Sequence, residues 1–152
     1  MRYLVVLALV VLAGAGIPVQ VAANKRLEKA VQSPALTVAL AFAIGAAAMA
    51  LLAATGWLGR GRLSGVTAAP WWAWIGGLLS ACAVIASILA LPQAGMAAVV
   101  AATVFGQLVA SVILDHFGWM DVPLIRLNWW RVCGAVLLFA GMLMIQHTPE
   151  AR

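Results

Sequence analysis

Apolar residues run in five long stretches along this chain, and the polar positions between them are turn and charge signals. The first stretch covers residues 3–23 and ends at Asn24-Lys25-Arg26-Leu27-Glu28-Lys29. The second, residues 35–57, opens after Ser33-Pro34 and closes at Gly59-Arg60-Gly61-Arg62. A serine there suits a helix N-cap, and a proline suits the first helical turn. The third, 71–91, lies between Pro70 and Pro92; the fourth, 93–114, follows almost at once, and the fifth covers 130–147. The first four approach the roughly 20 residues that a helix needs to cross the hydrocarbon core of a bilayer. The pattern predicts an all-α integral membrane protein with five transmembrane helices, forming a single domain over residues 1–152.

Within that pattern a few polar positions stand out. Thr103, Gln107, Ser111 and Asp115 step by four along the fourth stretch, which keeps them near one helix face with a drift of about 40° per step. Such a ladder is costly against lipid and is expected to face protein or a water-filled cavity. Beside it Ala94, Ala98, Ala102, Gly106 and Ala110 form a strip of small residues, the kind that lets helices approach closely. Asp115 reads as a proton or cation site together with His116, or as a helix-end carboxylate paired with Arg126 or Arg131. Gln107 reads as a solute contact or an interhelical hydrogen bond. Pro18 removes a backbone donor and crowds the carbonyl of Gly14. That leaves either a partly opened first helix with a ligand contact near Gln20, or a structural kink with Gln20 bonding a neighbouring helix. Asn24 is placed to brace or gate the first loop. Trp57, Trp71, Trp72, Trp74, Trp119, Trp129 and Trp130 all fall near stretch ends, where aromatic rings settle at the headgroup level. Trp74 is also a candidate for lining the solute path with its π-face.

Composition narrows the classes. With 66% hydrophobic and 9% charged residues, the chain lacks the polar surface of a soluble domain. The formal net charge of +5 is spread over short loops and termini, which argues against a nucleic-acid partner. Cys82 and Cys133 sit in apolar runs without metal-type spacing and read as packing residues. No catalytic triad, phosphate loop, metal cluster or carboxylate pair is spelled out, so no enzyme, cofactor or metal is expected. Arg2 followed by an apolar run to Val21-Ala22-Ala23 has features of a signal peptide. The length of the run, Pro18 and Gln20 favour its retention instead. Five crossings place Arg2, Arg60, Arg62, Arg126 and Arg131 on one side and Lys25, Arg26, Lys29 and Arg152 on the other. So small an excess either biases orientation weakly or lets the chain insert both ways and assemble as an antiparallel pair.

Several segments resemble a known family. Gly16-Ile17-Pro18-Val19-Gln20 with Asn24 and Leu27 resembles the first-helix signature of the YdcZ-like proteins of the drug/metabolite transporter superfamily. Pro70-Trp71-Trp72-Ala73-Trp74-Ile75-Gly76-Gly77 resembles the lead-in to their third helix. Gly106-Gln107-Leu108, through Ser111 to Asp115-His116-Phe117-Gly118, resembles their most characteristic stretch, and Arg131, Gly134 and Gly141 also fit. The resemblance implies a five-helix, half-size protein of the bacterial inner membrane that pairs, as a homodimer or with a homologous subunit, into a ten-helix unit. The first stretch has no acid, unlike the four-helix small multidrug resistance transporters, so their proton-coupled exchange is not expected here.

The resulting expectation is a transporter of a small polar or amphipathic solute, working by alternating access as an antiparallel dimer in the lipid bilayer. Gln20, Gln107, Ser111, Thr103 and Trp74 would contact the solute, and Asp115, His116, Pro18 and Asn24 would couple or gate. The alternative is a non-transporting membrane subunit that stabilises or regulates another complex.

Overall fold

The computed structural model describes residues 2–147 apart from Leu58, Arg60 and Arg62; the side chains of Arg2, Leu63 and Ser64 are also outside the description. Arg60, Arg62 and Arg152, used above to weigh topology, therefore lie outside the described residues. All regular structure among the described residues is helical: α1 (Arg2–Val31), α2 (Pro34–Thr55), α3 (Ile75–Phe117) and α4 (Trp129–Gln146), with short 3-10 turns at Leu63–Ala68, Trp71–Trp74 and Trp119–Asp121. Among the described residues four segments are long and apolar enough to cross a membrane: Tyr3–Val31, Pro34–Thr55, Trp71–Phe117 and Trp129–Gln146. Their side chains point outward in numbers that water would not tolerate. Leu12, Leu51 and Leu137 are each about 70% exposed, at 69%, 73% and 72%. A contiguous surface of this kind needs lipid or another protein as its solvent. The chain is an all-α integral membrane protein.

The chain divides into two compact units, Met1–Leu89 and Ala90–Arg152. In the first, α1 and α2 pack together as a hairpin. α1 continues as one helix across Pro18. The turn is only two residues long. Gln32 takes a left-handed conformation (φ 54°) and its N–H donates to the Glu28 carbonyl at 2.7 Å. Ser33 is extended, and its Oγ accepts from the Leu36 N–H at 3.2 Å, with Pro34 opening the helix. Replacing Ser33 with Ala removes that cap and is expected to cost about 0.5–2 kcal/mol, read as a lower unfolding midpoint in a denaturant titration; an unchanged midpoint would contradict the cap. Behind the turn Val21 and Asn24 of α1 and Thr37 and Val38 of α2 are buried; elsewhere in this unit Ile88 of α3 is buried as well. The Thr37 hydroxyl donates to the Ser33 carbonyl at 2.9 Å, while Asn24 Nδ2 has no hydrogen-bond partner. α2 ends at Gly56, whose left-handed φ of 66° lets its N–H return to the Ala53 carbonyl.

The 43 residues of α3 would extend about 65 Å if straight, twice the hydrocarbon thickness. They are not continuous. Gly95 has φ 76° and ψ 164°, a region that essentially only glycine occupies. It separates an arm over residues 75–94 from one over 96–117, each about 30 Å long.

In the second unit the arm 96–117 pairs with α4. Phe105 and Phe139 meet at mid-length with centroids 5.1 Å apart, and Asp115 meets Arg131 near one end. Ala98 and Ile145 line a common cavity near the other, so the two helices run antiparallel. Their connection folds back onto the end of the arm. Gly118 is left-handed (φ 61°), the Ile125 N–H donates to the Asp115 carbonyl at 2.8 Å, and the Leu127 N–H donates to His116 Nδ1 at 3.0 Å. Two acceptors at the helix C-terminus are thus satisfied. Asn128 then caps α4, its Oδ1 accepting from the Arg131 N–H at 3.0 Å.

Candidate solute site at the polar end of the second unit

The described charged side chains of the second unit gather where the arm 96–117 ends and α4 begins. Arg131 Nη1 donates to Asp115 Oδ2 at 2.9 Å, with the two side chains only 27% and 22% exposed. Both charges sit at unfavourable helix ends. Asp115 lies in the last turn of its arm, where the partial charge is negative, and Arg131 in the first turn of α4, where it is positive. Each therefore depends on the other for compensation rather than on its own helix.

Two cavities flank this pair. One, of about 200 Å³, is lined by Leu108, Ser111, Asp115, Arg131 and Gly134 among others. A second, of about 370 Å³, is apolar, with Phe105, Val109, Ile113, Leu127 and Phe139 in its wall. Arg131 borders both; Asp115 borders only the first. A third cavity of about 630 Å³ opens beside the Gly95 break, where Gln93 and Gln146 supply amides. Nothing in the apolar pattern marked Gln93 and Gln146 as neighbours, because the fold of the hairpin alone brings the helix ends together.

The ladder read from the sequence is only partly gathered. Asp115 and Ser111 share the smaller cavity. Gln107 is exposed. Thr103 and Ser111 turn their hydroxyls onto their own helix, donating to the carbonyls of Val99 and Leu108 at 2.8 Å each. The cause is the drift of about 40° per four residues. The side of the arm that meets α4 carries Phe105 and Val112, so Asp115 lies at its edge and Gln107 and Thr103 are rotated progressively away. His116 accepts from Leu127, which places its ring proton on Nε2, and its ring lies edge-on to Phe117 at 4.9 Å. In the first unit Gln20 and Trp74 are exposed, Pro18 is half-buried and Asn24 is buried. Arg131 borders both cavities at this end of the hairpin, yet the sequence marked it as one of two partners for Asp115 and as part of the family resemblance, not as a site residue.

A helical protein with several apolar segments long enough to cross a membrane, and a partly buried ion pair at the ends of two of its helices, belongs to the class of polytopic integral membrane proteins. The particular family follows from comparison: the family described as "Putative inner membrane exporter, YdcZ" matches residues 5–144, and the chain belongs to it. "Inner membrane protein YdcZ" of Escherichia coli (strain K12) is 38% identical over 90 residues, which cover 59% of this chain and 58% of that one. The chain thus spans less than two thirds of the curated relative it matches. No solved structure matches.

Proposed function

We propose that this protein is a transporter of a small polar or amphipathic solute in the bacterial inner membrane, acting as a dimer by alternating access. The observation that carries the reading is the Asp115–Arg131 pair, only partly exposed and walling a cavity that also holds Ser111. Charged groups held this little exposed at the ends of apolar helices are costly unless paired, and a pair that also walls a cavity suits a pathway for polar solutes. The family's description as an inner membrane exporter agrees with it. The interruption at Gly95 supports five passes rather than four, since each arm matches the bilayer core in length.

A second copy of the chain, or a homologous subunit, completes the unit. In the single protomer Gln107 is exposed, and a Cβ added at Gly106, Gly134 or Gly141 would meet nothing within 4 Å. An amide and a small-residue surface left toward lipid are both better satisfied by another helix. The near balance of basic residues on the two sides favours an antiparallel arrangement, making ten helices in all. Gln107, Ser111 and Thr103, with Gln20 and Trp74, contact the solute in this proposal; Asp115 and His116 couple or gate, and Pro18 and Asn24 shape the first helix for it. The non-transporting subunit remains the second reading. It is favoured by the hydroxyls of Thr103 and Ser111 being engaged by their own helix.

Reconstitution into liposomes with a panel of solutes separates the two readings. Saturable flux is expected to fall about tenfold in Gln107→Ala, as loss of one polar contact of about 1–2 kcal/mol requires, and to fall in Asp115→Asn through loss of the coupling or gating charge. Flux untouched by both substitutions would refute Gln107 as a contact and Asp115 as a coupling or gating group, and no flux for any solute would favour the subunit.

A further inference from the structure

The two cavities that meet at Arg131 differ in chemistry, and the difference names a ligand. The larger is walled by aliphatic and aromatic side chains with Arg131 as the charged group at its edge. The smaller holds Ser111 and Asp115. Val112, Arg131 and Ala135 belong to both walls, so the cavities are separated by little more than the arginine and its neighbours. A guanidinium carries five N–H donors. In Arg131 one of them meets Asp115 Oδ2, and no other partner for the guanidinium is found among the described residues. Its remaining donors are available to a ligand, since the side chain keeps 27% of its exposure.

We propose that the two cavities form one bipartite site for an amphipathic anion: a small solute whose apolar body lies in the larger cavity and whose carboxylate or similar anionic head binds Arg131. This deepens the transporter proposed above and rests on it for its physiological meaning. The choice of an anion over a cation follows from placement. A ligand seated among Phe105, Val109 and Phe139 reaches Arg131 directly, whereas Asp115 borders only the far cavity. The first turn of α4, where Arg131 lies, adds its positive partial charge in the same direction. The volume of about 370 Å³ suits a compact apolar body, at the lower end of the usual range for small-molecule sites. Planar bidentate pairing of a carboxylate with a guanidinium supplies the specificity.

Asp115 is then the internal competitor. It occupies one donor of Arg131, and its negative charge repels an anionic head bound to the remaining donors. The consequence is a sign that no plain structural pair would produce: neutralising Asp115 strengthens anion binding.

The test is calorimetric titration of the full chain in nanodiscs of zwitterionic phospholipid, with octanoate, octanol and octylamine as probes. Octanoate is expected to bind about tenfold or more tightly than either neutral or cationic analogue. Asp115→Asn is expected to tighten octanoate by about tenfold, and Arg131→Gln to weaken it by at least about that factor. Because Arg131→Gln alone leaves a bare carboxylate, the double variant Asp115→Asn/Arg131→Gln repeats the measurement with no stranded charge and is expected to lose octanoate as well. Val109→Trp, which fills the larger cavity while leaving both charges in place, is also expected to lose it. Equal binding of octanol, preferential binding of octylamine, or weaker octanoate binding by Asp115→Asn would each overturn the proposal. So would an anionic phospholipid retained by the wild type, lost by the double variant, and able to exclude octanoate when included in the discs, since the site would then belong to lipid. Binding is read here without transport. Flux of an uncharged or cationic solute with no octanoate binding removes the anion site and leaves the transporter; octanoate binding without any flux does the reverse.

Discussion

Replacing Arg131 with Ala is expected to lower the stability of the second unit by about 1–3 kcal/mol, less than for a fully enclosed pair because both side chains keep some exposure. The loss has two parts. Asp115 forfeits its charge-assisted hydrogen bond, and its carboxylate is left at the negative end of its own helix. The exchange Asp115→Arg with Arg131→Asp makes the sharper statement. It places the arginine in the last turn of the arm and the aspartate in the first turn of α4, where each helix end favours the new charge by about 0.3–1 kcal/mol. The exchanged protein is therefore expected to be at least as stable as the wild type, measured by denaturant titration followed through the tryptophan signal. It is also expected to have lost octanoate binding, since the guanidinium no longer borders the apolar cavity. An exchanged protein as unstable as Arg131→Ala would mean that side-chain shape, not charge, holds the two helices here. On that expectation the natural arrangement is the less favourable of the two for the isolated hairpin, and the proposed anion site would give a reason for it.

The second large effect is expected at Gly95. Its φ of 76° and ψ of 164° lie where a β-carbon is strongly disfavoured, so Gly95→Val should cost about 1–3 kcal/mol through the backbone. A clash is not the cause, because a Cβ at this position would meet nothing within 4 Å. The substitution should also shift the break toward Pro92, since the arms cannot fuse into one helix without exceeding the bilayer. Accessibility of single cysteines placed at 93 and 97 to a membrane-impermeant reagent reads this directly. Gly106→Ala is the matched control: it lies within regular helix, also with open space around it. In an isolated protomer it should stabilise by about 1 kcal/mol from helix propensity alone. Loss of stability or of dimer in Gly106→Ala would instead place another helix against that face. Labelling and stability unchanged in Gly95→Val would show that the chain does not need the glycine conformation there.

Much of this was legible in the sequence, for physical reasons that can be traced to single residues. Ser33-Pro34 announced a helix start because capping and proline chemistry act within four residues, and the structure uses both. The all-helical membrane character followed from long apolar runs, since only helices and closed barrels satisfy their backbone in lipid. Family membership was legible too, in Gly16 through Gln20 and in Gly106 through Gly118, and the match over residues 5–144 agrees. The Asp115 neighbourhood was legible as chemistry, with Arg131 among its two candidate partners.

What the sequence by itself determined is therefore the local and the one-dimensional: which segments are helical, where they start, that lipid surrounds them, and which few side chains are too polar for it. Tertiary structure alone decided which polar residues meet. A ladder spaced by four keeps turning about a straight helix, so its members share a face only loosely, and the packing of Phe105 on Phe139 selected the edge that keeps Ser111 and Asp115 and turns Gln107 outward. The same packing brought Arg131 across sixteen positions to Asp115 and set it between a polar and an apolar cavity. That placement depends on how two helices rest against each other, and no spacing within either helix encodes it.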